Sequence, residues 1–363
     1  MADERVVIIG SGLIGLCAAA ALAARGVRVT LIADHRAGEA SPAAAGMLAP
    51  GVEPGAQAVR DFGIAARDRY PAFLDWVRAA TGITVALDRN GILQLAATEE
   101  DAQRLRSEHP SVRWLNASEL RDLEPSLAPS AGALWHEHDG AVDNAALFDA
   151  LRAYSVKEPL IELVVEAAVA LEPGSSGATV RCAVGRHYTG NAVVIAAGAW
   201  TTSLRGLPRP LPIEPVRGQM LSLAPINPPL RHVIFGGGGY FVPRADGSTF
   251  VGSTMERAGF DPATTPEARA QLAFVAATLS PALAAAKVKR HWAGLRPVTP
   301  DFQPILGRDP DRRSVIYACG HSRNGILMAP LTGDCVAALA CGEEPWYDLS
   351  PFSVTRFESG SRA

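Results

Sequence analysis

The clearest pattern of apolar and polar positions lies at the start of the chain. Arg5-Val6-Val7-Ile8-Ile9 is a β-branched run, Gly10-Ser11-Gly12 interrupts it, and an Ala- and Leu-rich stretch then continues to about Arg25-Gly26. This predicts a short buried strand, a tight turn and a buried helix, with Val27 to Ile32 as a second strand. Val6 to Ala24 carries no charge over 19 residues, long enough to resemble a membrane span. The preceding Met1-Ala2-Asp3-Glu4-Arg5 is not a basic leader, and Gly10, Gly12 and Gly15 break the run, so strand, turn and helix explain it better.

Helical periodicity recurs at Ala58 to Ala80, Glu99 to Glu108 and Pro266 to Leu279. Asn191 to Ala196 reads as a buried parallel strand ending in the small residues Ala197-Gly198-Ala199 before Trp200. Four glycines, Gly236 to Gly239, form either a mobile mouth to a pocket or a flexible hairpin with no role. The proline-rich Leu207 to Pro212 marks a crossing between structural units, the stretch after Thr355 reads as a frayed tail, and there is no internal repeat.

Composition narrows the field. Apolar residues make up 48% and charged residues 20% of 363 positions, which excludes a disordered chain and predicts roughly two domains. With 34 basic and 37 acidic residues, a net charge of -3 offers nothing to neutralise a nucleic-acid backbone, so nucleic acid is excluded as a partner. Five cysteines without CxxC spacing fit reduced thiols and a cytoplasmic setting. His136-Glu137-His138-Asp139 has an H-x-H spacing, but nothing completes a metal set, and surface polar residues are the expectation; no metal is predicted. A serine hydrolase is excluded by the lack of a G-x-S-x-G elbow.

The chemistry starts at Gly10-Ser11-Gly12-Leu13-Ile14-Gly15. Placed between a strand and a helix, the three glycines serve a tight turn, close approach of a pyrophosphate, and helix-on-strand packing, while the helix N-terminus receives the phosphate charge. A ribose-binding acid is expected at the end of the second strand. Ala33 occupies that place and Asp34 comes one position late, so either Asp34 reaches the ribose from a shifted strand end or backbone and water do the work. On these residues alone, NAD and FAD are equally allowed.

Four further blocks break that tie. Ser41 to Pro50 (Ser-Pro-Ala-Ala-Ala-Gly-Met-Leu-Ala-Pro), His291 to Arg308, Tyr317 to Pro330, and Tyr240 to Arg244 with Gly252 to Met255 resemble, in family order, the FAD-dependent glycine oxidase and D-amino-acid oxidase family, in its thiazole-linked, thiamine-biosynthesis branch. The resemblance runs from about position 6 to 330. It implies noncovalent FAD, since no cysteine lies between Trp292 and Ala318 where sarcosine oxidases attach the flavin. By the same likeness, Ala40, Ser41, Ala45, Gly46 and Met47 let the backbone lie against the flavin. His321, Ser322, Arg323, Asn324, Gly325, Ile326 and Leu327 place its pyrimidine edge at a helix start, and Val169, Ala197 and Gly198 join the cofactor contacts. Arg296 would clamp a substrate carboxylate in its planar two-pronged grip. Tyr240 would hydrogen-bond that carboxylate, Met255 would line the side-chain pocket, and Arg323 would lie by substrate and flavin. Ser322 stands where relatives carry an aromatic residue, which alters the pocket wall there.

The fold class implied is α/β: a discontinuous Rossmann-like FAD-binding domain of glutathione-reductase type (2-51, 142-207, 293-342) and an antiparallel-sheet substrate domain with helices (52-141, 208-292). The expected reaction is oxidative deamination of a small amino acid such as glycine, a D-amino acid or sarcosine, by hydride transfer to flavin, with oxygen as acceptor and hydrogen peroxide as product. A dehydrogenase with another acceptor stays open, as do an NAD-dependent dehydrogenase and a non-catalytic dinucleotide-binding protein. A homo-oligomer is compatible with the chain and not specified by it.

Overall fold

The computed structural model describes residues 5–53, 55–174 and 176–360. Its centre is a six-stranded sheet in the order Ile305–Arg308, Val315–Cys319, Ala192–Ile195, Arg5–Ile9, Arg28–Ala33, Ile161–Val165. Every pairing is parallel except that of the first, edge strand. Alternation along Arg5–Ile9 explains its two layers. Val6 and Ile8 point into a cluster with the helices Leu13–Ala23, Gln57–Thr81, Asn144–Lys157 and Gly325–Ala340. Val7 and Ile9 point the other way, into a cluster with the small antiparallel sheet Ala168–Pro173, Ala178–Cys182, His187–Gly190. Burial on both faces is why these strands read as continuous apolar runs.

The second body is an eight-stranded sheet in the order Val288–Val298, Glu214–Leu223, Thr249–Gly252, Gly239–Pro243, Val233–Gly236, Ile92–Ala96, Gly132–His136, Arg113–Asn116. Its pairings are antiparallel apart from Val233–Gly236 against Ile92–Ala96. One face (Leu221, Ile234, Phe241, Val251) packs on the helix Pro266–Leu279, while the other (Met220, Tyr240, Val242, Trp292) packs on Ala45, Ala49 and Val52. The period of two thus decides which side chains of this sheet can meet a ligand and which build its core.

The expected helices occur as Gln57–Thr81, Glu99–Glu108 and Pro266–Leu279. The first packs on the parallel-sheet side rather than on the antiparallel body: Phe62, Ala66 and Tyr70 share a cluster with Leu13 and Leu331, and the Tyr70 hydroxyl donates to the Ile326 carbonyl at 2.5 Å. Residue 293 falls inside the strand Val288–Val298, so the chain re-enters the parallel sheet only at Ile305. The glycine run is a tight hairpin: Gly236 pairs with Gly239, and Gly237 and Gly238 have φ of 61° and 83°, the twist that a two-residue primed turn needs.

The segment after Thr355 is not frayed up to residue 360. It forms the 3₁₀ turn Val354–Gly360, with Val354 buried and Arg356 paired to Asp301 at 2.7 Å. His136 and Asp139 are likewise not surface residues. His136 is hydrogen-bonded to Gln94 and Asp139 to Arg67, and burial pushes the His136 imidazole down to about 4. Among the described residues no group of His, Cys, Asp and Glu is placed to hold a metal, no helix is long and apolar enough to cross a membrane, and Cys17, Cys182, Cys319 and Cys335 are buried free thiols.

Candidate active site

A long cleft runs from the ends of the first two parallel strands to the inner face of the antiparallel sheet. At its first end stand Gly10, Gly12, Leu13, Ile14 and Asp34. Gly10 has φ of +107°, and a β-carbon there would lie 2.4 Å from the Ala196 carbonyl oxygen. Gly15 is closed in differently: a β-carbon would lie 1.9 Å from the Gly10 carbonyl oxygen, so only glycine lets the helix seat on the strand. Gly12 begins the helix without a side-chain cap, which leaves its first turn suited to an anion.

The second strand runs through Ala33, one residue past the expected Ile32, and this puts Asp34 directly at its end. Asp34 lines the cleft and is paired with Arg36 at 2.5 Å, while Ala33 is buried in the sheet. The one-residue displacement seen in the sequence is therefore a shifted strand end.

The middle wall is made of Ala40, Ser41, Ala43, Ala44, Ala45, Gly46 and Met47 on one side, with Ala197 and Gly198 on another. This loop is held from behind. The Ser41 hydroxyl accepts from the Leu13 amide at 3.0 Å, Asn144 donates to the Ser41 carbonyl at 2.9 Å, and the Trp292 indole donates to the Ala43 carbonyl at 2.9 Å. Small residues are required on both sides of it: a β-carbon on Gly294 would lie 2.6 Å from that of Ala43, and one on Gly46 (φ +84°) would lie 2.1 Å from the Val142 carbonyl oxygen.

At the far end, Trp292, Gly294 and Arg296 alternate onto the cleft face of their strand. The Arg296 guanidinium crosses over Gly218 on the neighbouring strand, where a β-carbon would lie 1.8 Å from Nη1, and it donates to the Thr254 carbonyl at 3.2 Å and to the Ser253 hydroxyl at 2.5 Å. Burial lowers the Arg296 value and neighbouring Arg323 adds to the fall, while Tyr240 and Glu53 work the other way; arginine nonetheless keeps its charge. Tyr240, buried with its ring against Gly252, lines the same end.

Arg323 arrives from the turn before the helix Gly325–Ala340. The turn is shaped by Gly320 (φ 69°) and Ser322 (φ 50°), with the Ser322 amide donating to the Pro297 carbonyl at 3.0 Å. Asn324 stands at the N-cap position of that helix without a side-chain cap, and the N-terminal residues Gly325 and Ile326 face the cleft, so the positive end of the helix dipole points there. His321 also lines the cleft. Burial pushes its imidazole down to about 3, and it is therefore neutral and bound to Thr332 at 3.2 Å.

The sequence model of the family described as FAD dependent oxidoreductase matches residues 5–339. The chain belongs to this family. Among curated proteins, this FAD-dependent oxidoreductase is 35% identical to the glycine oxidase of Geobacillus kaustophilus over 97% of its own length and 96% of the relative's. It is 34% identical to the glycine oxidase of Pseudomonas aeruginosa, covering 97% and 98%. A third relative, the bifunctional protein ThiO/ThiG of Synechocystis, is 36% identical over 97% of this chain, which spans about half (54%) of that relative's length. The crystal structure of the Geobacillus kaustophilus enzyme superposes with a TM-score of 0.91 at 34% identity, covering 97% of this chain and 99% of that one.

The residues present fit FAD. Glycines whose β-carbons would meet backbone flank the cleft, an uncapped helix start faces it, and its middle wall is a stretch of Ala, Ser and Gly. Several residues expected to contact cofactor or substrate do not line the cleft. Gly15 is spent on packing against Gly10, and Leu327 is buried beside Gly63. Val169 lies in the small antiparallel sheet with its carbonyl accepting from the Arg205 amide. Met255 is corrected too: it is 45% exposed because Thr254 and Glu256 take the inward positions, where they bind Gln219 and Arg217.

Glu53, Gly218 and Ser253 carry no local signature and were not anticipated. Glu53 lies 270 residues from its partner Arg323, and Gly218 matters only because another strand lays a guanidinium over it.

Proposed function

We propose that this enzyme oxidatively deaminates a small amino acid, glycine first, with sarcosine or a small D-amino acid as the next candidates. The neutral amine loses a hydride, that is two electrons and one proton, to give a protonated imino acid; water then releases ammonium (methylammonium from sarcosine) and the oxo acid, and oxygen takes up the two electrons, the hydride's proton and one from solvent as hydrogen peroxide. The observation that carries this reading is Arg296, a guanidinium with only neutral contacts, walled into the far end of the cleft. The likeness to glycine oxidases supports it.

FAD, when bound, supplies the hydride acceptor and the route to oxygen. The chain's own part is binding and placement. Arg296 takes the carboxylate in a two-pronged grip, and its angle is fixed by Ser253, the Thr254 carbonyl and the empty space above Gly218. Tyr240 offers a hydroxyl to the same group. Among the described residues no free base lines this end of the cleft: His321 is neutral and bound to Thr332, and Glu53 is paired with Arg323. The amine therefore arrives already deprotonated, and orientation does most of the work.

In this reading the segments 5-51, 142-207 and 305-342, with the helix Gln57–Thr81, form the FAD-holding unit, and the antiparallel sheet roofs the substrate. A role in thiamine biosynthesis and a cytoplasmic setting belong to this reading, and the likeness to the bifunctional ThiO/ThiG protein supports the first. Anaerobic titration of the yellow holoenzyme with glycine, sarcosine and D- and L-amino acids, followed by a peroxide assay in air, tests the proposal. Bleaching by glycine with peroxide on re-aeration is the expected result; a flavin that no amino acid bleaches defeats the reading. Bleaching without peroxide would favour the dehydrogenase alternative.

A further inference from the structure

Five charged side chains line the cleft: Asp34, Glu39, Glu53, Arg296 and Arg323. The first two belong to the nucleotide end and have local partners there, Arg36 for Asp34 and His35 for Glu39. At the substrate end, two guanidinium groups face a single carboxylate. Arg323 and Glu53 form an ion pair, with Nε 2.7 Å from Oε2 and Nη2 donating to Oε1 at 3.0 Å, and the Glu53 side chain is only 8% exposed. Burial works against the Arg323 charge, but Glu53 outweighs it and raises the value. Arg296 has no carboxylate within ion-pair distance among the described residues, so the end carries one uncompensated positive charge.

We propose that Glu53 is a specificity-determining residue: by occupying Arg323 as its counter-ion, it restricts this enzyme to substrates bearing one carboxylate. This rests on the reading above that Arg296 takes the first carboxylate. A second carboxylate on the substrate would have to approach Arg323, where Glu53 is already the counter-ion and adds like-charge repulsion in a site shielded from water. Replacing Glu53 by a neutral isostere frees a guanidinium a short distance from Arg296, and the end becomes a two-cation site suited to a dicarboxylate. Glu53 thus acts through Arg323 and is a positioning residue, not a catalytic one.

Calorimetric titration of the holoenzyme with acetate and with malonate reads this without turnover. In Glu53→Gln, malonate affinity relative to acetate should rise about tenfold over wild type, and Glu53→Gln/Arg323→Gln should lose that gain. The proposal is overturned if the ratio does not move in Glu53→Gln, or if the gain persists in the double variant. Should Glu53→Gln fail to fold with its flavin, Arg323→Gln decides alone. It strands a carboxylate near Arg296, so acetate should bind about tenfold more weakly; unchanged acetate binding overturns the proposal. An enzyme that no amino acid reduces, yet whose titrations follow this pattern, loses the amino-acid oxidase reading and keeps this one. One that oxidises glycine with a fixed malonate-to-acetate ratio loses this one alone.

Discussion

At the nucleotide end of the cleft the contacts come from one continuous stretch, Arg5 to Asp34, and are mostly backbone, whereas at the carboxylate end they are charged and polar side chains brought from positions 53, 240, 253, 296 and 323. The first end works by what is missing. Gly10 and Gly15 are needed because backbone already fills the space of a β-carbon, and an anion is met by free N–H groups. The second end works by what is placed there: a guanidinium laid over Gly218, a tyrosine over Gly252, and an ion pair beside them. A local motif can encode the first kind of site, but the second exists only once several strands are in register.

That contrast predicts different kinds of failure. Gly15→Val should do the greatest damage. Its β-carbon would sit 1.9 Å from the Gly10 carbonyl oxygen, and the purified protein should retain less than about a tenth of the wild-type flavin by absorbance and melt well below it. A yellow, stable Gly15→Val protein would erase the distinction between the two ends.

Arg296→Leu should instead keep its flavin and lose about 10²–10³-fold in kcat/KM for every reactive amino acid, the cost of leaving a substrate carboxylate buried without its partner. Loss of flavin together with activity would mean that the two ends are not separable. Gly218→Ala should sharpen the comparison further. Its methyl would lie 1.8 Å from Nη1 of Arg296, and displacing the guanidinium should raise KM about tenfold with a smaller change in kcat. Steady-state kinetics that show no change in KM would disprove this placement of Arg296.

The smallest effect concerns His321, which lines the cleft between the two ends. Burial holds its imidazole at about 3 in the folded protein, against about 6.5 when unfolded. The unfolded chain therefore binds the proton first: the stability that this histidine contributes is fully present above pH 6.5 and falls as pH drops from there towards 3. About 1 kcal/mol should be lost by pH 5.5 in urea unfolding. His321→Asn, neutral throughout, should flatten that slope, and an unchanged slope would place the acid sensitivity elsewhere.

How much could be read in advance follows the same division. The strand-turn-helix at Gly10–Gly15 and the helices Glu99–Glu108 and Pro266–Leu279 were legible because their signals are local: a glycine spacing, a periodicity, a proline at a helix start. Arg296, Tyr240 and Arg323 were legible only through likeness to a known family, since an arginine between leucine and proline says nothing by itself. Met255 was misplaced although its neighbours were right, because beyond the strand end at Gly252 the inward side chains are fixed by what Thr254 and Glu256 bind, not by strand alternation. Asp34 looked one residue late because the end of a strand depends on its neighbour: pairing of Ala33 with Val165 extends the strand by that residue.

By itself, then, the sequence determined the turn that receives a dinucleotide, the small-residue loop from Ala40 to Met47 and the burial of the parallel strands, for these depend on steric limits and periodicities that neighbouring residues set among themselves. Only the tertiary structure decided that Glu53 would neutralise Arg323 and leave Arg296 free, and that the helix Gln57–Thr81 would pack on the parallel-sheet side. Those outcomes turn on distances between residues far apart in the chain, and Coulomb energy and packing act on such distances, not on order along the polypeptide.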